Sequence, residues 1–258
     1  MKNSIKSITT LVLLMLLVSC KKENNTALET QNTDELVETS VETTKIIAED
    51  YMYVTAASGL SLRAFGNLDS EKLAIMPYGT KLKVISIEEN ETMNVSGIKG
   101  GMNEVEYNNK KGFAFNGYLS TMFPPEKNGQ AKQYIEDLKA THPSASYNRV
   151  VGGTASNPTE AVTVILPTNK WHEAFSIAQR LFDVPTNFAF PNPKGRENQT
   201  INNTKKPDFV FVSDLKIERS NNELQKITFL QAGEGYGKKV TITKDGHIMK
   251  IESNSVAD

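Results

Sequence analysis

From residue 51 onwards the chain consists of short runs in which apolar and polar residues alternate, separated by Gly, Asn and Pro. The run SGLSLRAFG places Leu60, Leu62 and Ala64 on one face of an extended segment. The run NEVEYNNKKGFAFNGYL predicts a hairpin that turns at Asn108–Asn109, since asparagine tolerates a positive φ. Alternation with a period of two is typical of strands that are buried on one side. Residues 51–124 are therefore predicted to form a small all-β unit.

The segment KLKVISI interrupts this alternation. Leu82 and Val84 lie on one face, whereas Ile85 and Ile87 follow on the opposite face. A change of phase inside one strand indicates a β-bulge or the corner of a barrel.

Residues 125–258 begin with helical patterns. The segment AKQYIEDLKA puts four apolar residues on one helical face, namely Ala131, Tyr134, Ile135 and Leu138. The segment NKWHEAFSIAQRLF repeats apolar residues at helical spacing, and Thr168 just before it is the predicted helix cap. Between the two helices, a Gly-, Ser- and Asn-rich loop leads to the β-branched run AVTVILP, which predicts a buried strand.

A meander of strands follows the second helix. It comprises DFVFVSDLKIER, LQKITFL, KKVTITK and HIMKIES, with predicted turns at Asn221–Asn222 and Asp245–Gly246 and a wide loop at GEGYGKK. Helices followed by antiparallel strands predict an α+β layer fold for residues 125–258. The whole chain is thus predicted to be multidomain, with a small all-β barrel before an α+β domain.

The N-terminus has the three parts of an export signal. Lys2 and Lys6 precede an apolar run from Leu11 to Val18, which is followed by Ser19 and Cys20. The run is too short to span a bilayer, which needs about 20 apolar residues. Cys20 is the only cysteine of the chain, so no internal disulfide can form.

The four residues Leu17-Val18-Ser19-Cys20 resemble the lipobox of bacterial lipoproteins. The resemblance implies that residues 1–19 are a signal peptide and that the Cys20 thiol carries a diacylglyceryl group, which would be the chain's membrane partner. The alternative is an ordinary secretion signal that ends near a cysteine. Lys21 in place of Asp favours the outer membrane of the cell envelope, on its periplasmic face or at the cell surface. Residues 20–50, rich in Thr and acidic groups, are predicted to be a disordered tether.

Residues 51–124 resemble the bacterial SH3-like (SH3b) domain. The resemblance is carried by Gly59-Leu60 with Leu62-Arg63, by Pro77-Tyr78-Gly79-Thr80 and by the late GFAFNGYL. It implies an SH3-like barrel with a ligand groove lined by aromatic residues. The candidate binding residues that it gives are Arg63, Tyr78, Phe113 and Tyr118. The alternative for these aromatic residues is that they fill the core of the barrel.

A proline-rich segment, residues 183–207, is predicted to be a long irregular excursion. Its sequence NFAFPNPKGR is expected to expose Phe188 and Phe190 beside Lys194 and Arg196. We interpret the two phenylalanines as candidate partner contacts. The alternative is that both pack on the meander.

The sequence gives little support for an enzyme. Cys20 is the only thiol, and the pair His172-Glu173 opens like the zinc motif H-E-x-x-H but meets Ser176 at the fifth position. His172 is expected to be solvated on the polar side of its helix. No G-x-S-x-G motif occurs, and GEGYGKK departs from the phosphate-binding pattern. We therefore expect no catalytic residue, no metal and no cofactor.

The balance of 29 Lys and Arg against 30 Asp and Glu gives no basic excess, and we expect no nucleic-acid partner. Taken with the two resemblances, the sequence predicts a lipid-anchored envelope protein whose SH3b unit binds cell-wall peptide (peptidoglycan) or an envelope protein. Two alternatives remain. One is an inhibitor or immunity-type protein acting through residues 125–258, and the other is an unrecognised cell-wall hydrolase.

Overall fold

The structure is a computed structural model that describes residues 51–195 and 198–257. The predicted signal peptide, the lipid site at Cys20, the tether and Arg196 lie outside the described residues. All the described residues belong to one compact unit. No helix in the described ranges is both long enough and apolar enough to cross a bilayer.

The first part of this unit contains a seven-stranded antiparallel sheet. Its strands are β1 (Tyr51–Val54), β2 (Leu60–Arg63), β3 (Lys72–Met76), β4 (Lys81–Ser86), β7 (Met102–Tyr107), β8 (Lys110–Phe115) and β9 (Leu119–Ser120). Their order is β3-β2-β8-β7-β4-β1-β9, so the sheet is open and the predicted closed barrel is not observed. A separate hairpin, β5 (Met93–Val95) and β6 (Ile98–Gly100), and a 3₁₀ helix, Asn116–Tyr118, complete this part.

The patterns read from the sequence explain these strands. Leu60 and Leu62 of β2 are buried while their polar neighbours are partly exposed. The register of β4 against β7 shifts between Val84 and Ser86, which confirms the bulge predicted from the change of phase. Asn108–Asn109 connects β7 to β8 with positive φ at both residues, which confirms the hairpin turn.

The second part contains another seven-stranded antiparallel sheet and two helices. Its strands are β10 (Ser146–Gly153), β11 (Pro158–Leu166), β12 (Asn198–Asn202), β13 (Val210–Ser220), β14 (Glu223–Gly233), β15 (Tyr236–Asp245) and β16 (Ile248–Ala257), in the order β10-β11-β16-β15-β14-β13-β12. The helices are α1 (Ala131–Leu138) and α2 (Trp171–Leu181). The predicted antiparallel meander is confirmed as β13–β16, and this part of the chain consists mostly of β-strands.

Three predictions for this part were wrong. Strand β10 forms where a loop was expected, because it pairs with β11 over its whole length. Strand β12 lies inside the predicted irregular excursion, because it pairs with β13. GEGYGKK is not a wide loop, since β14 and β15 pair up to Gly233 and Tyr236 and leave a two-residue turn. In all three cases, pairing with the next strand along the chain decides the structure over local composition.

Both helices pack on the second sheet with the apolar faces that the sequence predicts. Tyr134, Ile135 and Leu138 of α1 and Phe175 of α2 are buried in one hydrophobic cluster. Buried residues of the first sheet form a second hydrophobic cluster, and Phe190 packs against both clusters. The boundary predicted between residues 124 and 125 stays a prediction.

Candidate functional site

A groove runs between the first sheet and helix α2. It consists of two cavities of about 370 Å³ and 300 Å³ that share Ala56, Ala57 and Tyr118 in their linings. We call the larger cavity the shallow end and the smaller one the deep end. Sites of this size, lined by aromatic side chains with few polar groups, are typical of ligand pockets.

The shallow end lies on the first sheet. Apart from Ala57 and Tyr118, its lining includes Arg63 of β2, Leu68 and Phe115. The guanidinium of Arg63 donates a hydrogen bond from Nη1 to the Ser70 carbonyl oxygen at 2.7 Å, which fixes the side chain. Arg63 is the one charged residue in this lining, so the shallow end has a single positive charge.

The deep end is apolar and aromatic. Phe175 of α2 lines it together with Phe188 and Phe190, and the rings of Phe175 and Phe190 lie 5.9 Å apart. Gln179 of α2 donates hydrogen bonds from Nε2 to the carbonyl oxygens of Pro185, at 3.1 Å, and Phe188, at 2.9 Å. These bonds hold the segment after α2 against the helix, and thereby place both phenylalanines in the groove.

A network of buried amides positions Tyr118. Asn103 is fully buried, and its Oδ1 accepts hydrogen bonds from the Glu88 backbone N–H and from Asn116 Nδ2. Asn116 Oδ1 in turn accepts a bond from the Gly101 N–H at 2.8 Å. Because Asn116 begins the 3₁₀ helix that ends at Tyr118, the network fixes the residue that both ends of the groove share.

Gly117, inside this 3₁₀ helix, is required by close packing. A Cβ atom at this position would lie 2.4 Å from the Phe115 ring and 2.8 Å from Ile98. The absence of a side chain therefore allows Phe115 and Tyr118 to pack edge to face, with their ring centroids 5.8 Å apart.

His172 lies in the deep end, and its predicted solvation is wrong. Its Nε2 is buried and has no hydrogen-bond partner, and its ring packs edge-on against Phe190. Burial lowers the pKa of His172 to about 4, although the neighbouring carboxylate of Glu173 acts in the opposite direction. The imidazole is thus neutral at physiological pH. The sequence does contain a signal for this burial. His172 lies three residues before the apolar Phe175, and residues three apart share a helix face.

The start of α2 also differs from the prediction. The cap position is Lys170, which makes no side-chain capping bond, and not Thr168. The Thr168 hydroxyl instead donates to the buried carboxylate of Glu173 at 2.5 Å and accepts a bond from the Lys170 N–H. Thr168 therefore braces the first turn from outside the helix.

The structure brings four of the six predicted binding residues into the groove. Arg63 lines the shallow end, Phe188 and Phe190 line the deep end, and Tyr118 lines both. The expected exposure of Phe188 is wrong, because it is 4% exposed and packs on Phe229 of β14. Phe190 is half-buried and its ring packs on His172 and Phe175 of α2, so packing on the meander is seen for Phe188 and not for Phe190.

Tyr78 and Phe113 lie outside the groove. The Tyr78 hydroxyl donates to the Pro125 carbonyl oxygen at 2.9 Å, and Arg180 of α2 stacks 4.1 Å from its ring. Burial raises the pKa of Tyr78 to about 12, and Arg180 opposes that shift. Tyr78 thus connects the β3–β4 turn to α2, while Phe113 packs against the core of the first sheet.

In the described ranges, no group of three or more His, Cys, Asp or Glu side chains is arranged as a metal site. Comparison of the chain with protein-family models, curated proteins and solved structures gave no match. The resemblances to bacterial lipoproteins and to SH3b domains therefore stay predictions, and the groove stands on its geometry.

Proposed function

We propose that this protein is a lipid-anchored binding protein of the cell envelope, whose groove holds an extended peptide segment of an envelope protein. In this proposal Cys20 carries the lipid, residues 20–50 are the tether, and residues 51–124 are an SH3b-like unit with an open sheet. The turn Pro77–Thr80 supports the SH3b assignment, since Gly79 has φ +79° and the Thr80 N–H donates to the Pro77 carbonyl oxygen.

The observation that carries the proposal is the lining of the groove. Aromatic rings from the cores of both sheets meet there, and Arg63 is the only charged side chain among the described residues that line it. Cell-wall peptides carry several ionised groups, and most of them would lose their hydration in this groove without an opposite charge. A peptide segment with apolar side chains and one carboxylate fits the lining better. We therefore favour an envelope protein over cell-wall peptide as the partner.

The proposal predicts that blocking the groove abolishes peptide binding. Ala57 is exposed and lines both ends of the groove, so Ala57→Trp obstructs it without touching either core. We expect binding of the full chain, in mild detergent, to an array of random 12-residue peptides to fall at least tenfold. Ala140→Trp, at an exposed position after α1, is the matched control and should bind like the wild type.

Two results would overturn this assignment. Unchanged peptide binding by Ala57→Trp would show that the groove is not the site. Binding to isolated peptidoglycan, lost in Ala57→Trp and without any selected peptide, would make cell-wall peptide the ligand.

Anchoring is tested separately. Mass spectrometry of the full chain from its native host should show a processed protein that begins at Cys20 and carries a diacylglyceryl group on the thiol. An intact leader or an unmodified thiol would contradict the proposed anchor and leave the groove unaffected.

A further inference from the structure

The second sheet has one face without a helix on it. The helices α1 and α2 pack on the face that carries Val164, Ile227 and Ile251, which belong to the hydrophobic cluster. Side chains alternate along each strand, so the intervening residues form the opposite face. In the part of the chain that the structure describes, no helix covers this opposite face, which we call the open face.

Strand pairing aligns two rows of residues across one end of the open face. The first row runs through Val150, Ala161, Asn254, Lys239, Leu230 and Asp214. The second row runs through Gly152, Thr159, Val256, Gly237, Ala232 and Val212. Apart from Lys239, two neutral polar residues and Asp214, whose carboxylate accepts a hydrogen bond from Asn202 at 2.8 Å, both rows consist of apolar residues and glycine.

These rows line a trough of about 690 Å³. Glycine and alanine leave space above the sheet because their side chains are absent or small, and the larger side chains of Val150, Leu230 and Val256 project beside them. The trough crosses six strands, β10 to β13 in sheet order, and five strand spacings of about 4.8 Å make it roughly 24 Å long. The two rows lie roughly 7 Å apart, and the next row on the same face is polar, with Thr163, Glu252 and Thr241. The apolar lining is therefore a long stripe only two rows wide.

Two exposed phenylalanines lie close in the chain to Val212, which lines the trough. Phe209 and Phe211 are 66% and 63% exposed. Exposed apolar side chains near an apolar cavity are typical of a binding surface.

Three charged residues line the trough, Glu160, Lys238 and Lys239, and Lys238 forms an ion pair with Asp183 at 2.7 Å. Lys239 rises from the first row, is exposed, and forms no ion pair with any described residue. The neighbouring Glu160 is already paired with Arg149, whose Nε lies 2.9 Å from the carboxylate. That guanidinium also lowers the pKa of Glu160 through its hydrogen bond. An anionic group is thus complementary to the trough, and Lys239 is the residue that would hold it.

The lining of the trough favours one kind of apolar ligand over an extended peptide or an α-helix. The sheet's backbone groups bond to one another within the sheet, so an extended peptide would find no partners for its own N–H and C=O groups. An α-helix, about 10 Å across with its side chains, is wider than the trough. An unbranched hydrocarbon chain has no polar groups to satisfy and matches the narrow width. We infer that the trough binds one long-chain fatty acid, with its acyl chain across the strands and its carboxylate at Lys239.

Photolabelling tests this inference on the full chain, in membranes of cells that express it. The probe is hexadecanoic acid with a diazirine in its chain, and the readout is labelled peptides from β10, β11 and β14. We expect Ala232→Trp, which fills the trough, to reduce this labelling at least tenfold, and Lys239→Glu to reduce it about fivefold. Thr241→Trp and Lys216→Glu, on the polar part of the open face, are the matched controls and should label like the wild type.

Four outcomes would overturn the inference. They are labelling that persists in Ala232→Trp, equal labelling by the corresponding fatty alcohol, labelling only by a diazirine phosphatidylglycerol in the bilayer, and cross-links between two copies through trough residues with no labelling by the acid. The trough is separate from the groove, so none of these results bears on the proposed function.

Discussion

Replacing Asn103 with leucine is expected to lower the free energy of unfolding by about 3 kcal/mol. Asn103 is fully buried between β4 and β8, and leucine has nearly the same shape but no amide. The substitution removes the acceptor for the Glu88 N–H, at 3.0 Å, and for Asn116 Nδ2, at 2.9 Å. The Glu88 N–H then has no partner in a partly buried place, which is the larger part of the expected loss.

Urea denaturation of wild type and variant measures this loss. Asn94→Leu is the matched control, because Asn94 Oδ1 also accepts a backbone hydrogen bond, from the Gly97 N–H at 2.9 Å, but in an exposed turn. We expect that variant to lose less than about 1 kcal/mol. Equal losses in the two variants would show that the buried network contributes nothing beyond one ordinary hydrogen bond.

The Asn103 network also connects stability to the groove. Asn116 keeps two side-chain bonds in Asn103→Leu, from Nδ2 to the Glu88 carbonyl oxygen and from the Gly101 N–H to Oδ1, so the 3₁₀ helix loosens without being released. Tyr118 ends this helix and lines both ends of the groove. We therefore expect the Asn103→Leu variant to bind peptide more weakly as well as to be less stable. A variant that loses stability but binds peptide like the wild type would separate the two roles.

Local patterns were sufficient for much of the fold. The bulge at Val84–Ser86 follows from a change of phase within seven residues, and the turn at Asn221–Asn222, with positive φ at both residues, from the two asparagines. The buried face of α1 follows from spacing alone. Each of these features is decided by residues that are neighbours in the chain, so the sequence contains the information in a readable form.

The groove could be predicted only in part, because its two walls come from distant segments. The motif that pointed to Arg63 and Tyr118 lies in the first sheet, and both residues line the groove. The deep end arises when α2 and the segment of Phe188 and Phe190 pack beside Tyr118, which no local pattern encodes. The same packing buries His172, whose exposure was predicted from its own helix without the neighbouring sheet.

Lowering the pH from about 6.5 to 4 is expected to destabilise the wild-type protein by roughly 3 kcal/mol through His172 alone. In the unfolded chain the imidazole titrates near its ordinary pKa of 6.5, whereas in the folded protein burial lowers the pKa to about 4. Between these values the unfolded chain binds a proton that the folded protein excludes. The loss is therefore absent above pH 6.5, grows as the pH falls, and is complete below about pH 4.

Urea denaturation at several pH values, with wild type and His172→Leu side by side, isolates this contribution. Carboxylates of the protein also titrate toward pH 4, and those that do not interact with the imidazole affect both proteins alike, so the difference between the two curves reports His172 together with its interaction with Glu173. We expect the stability of His172→Leu relative to wild type to rise steadily from pH 6.5 to 4. His247→Gln, at an exposed position in the β15–β16 turn, should keep the wild-type dependence on pH. Parallel curves for wild type and His172→Leu would mean that water reaches the imidazole in solution, although its Nε2 is buried in the structure.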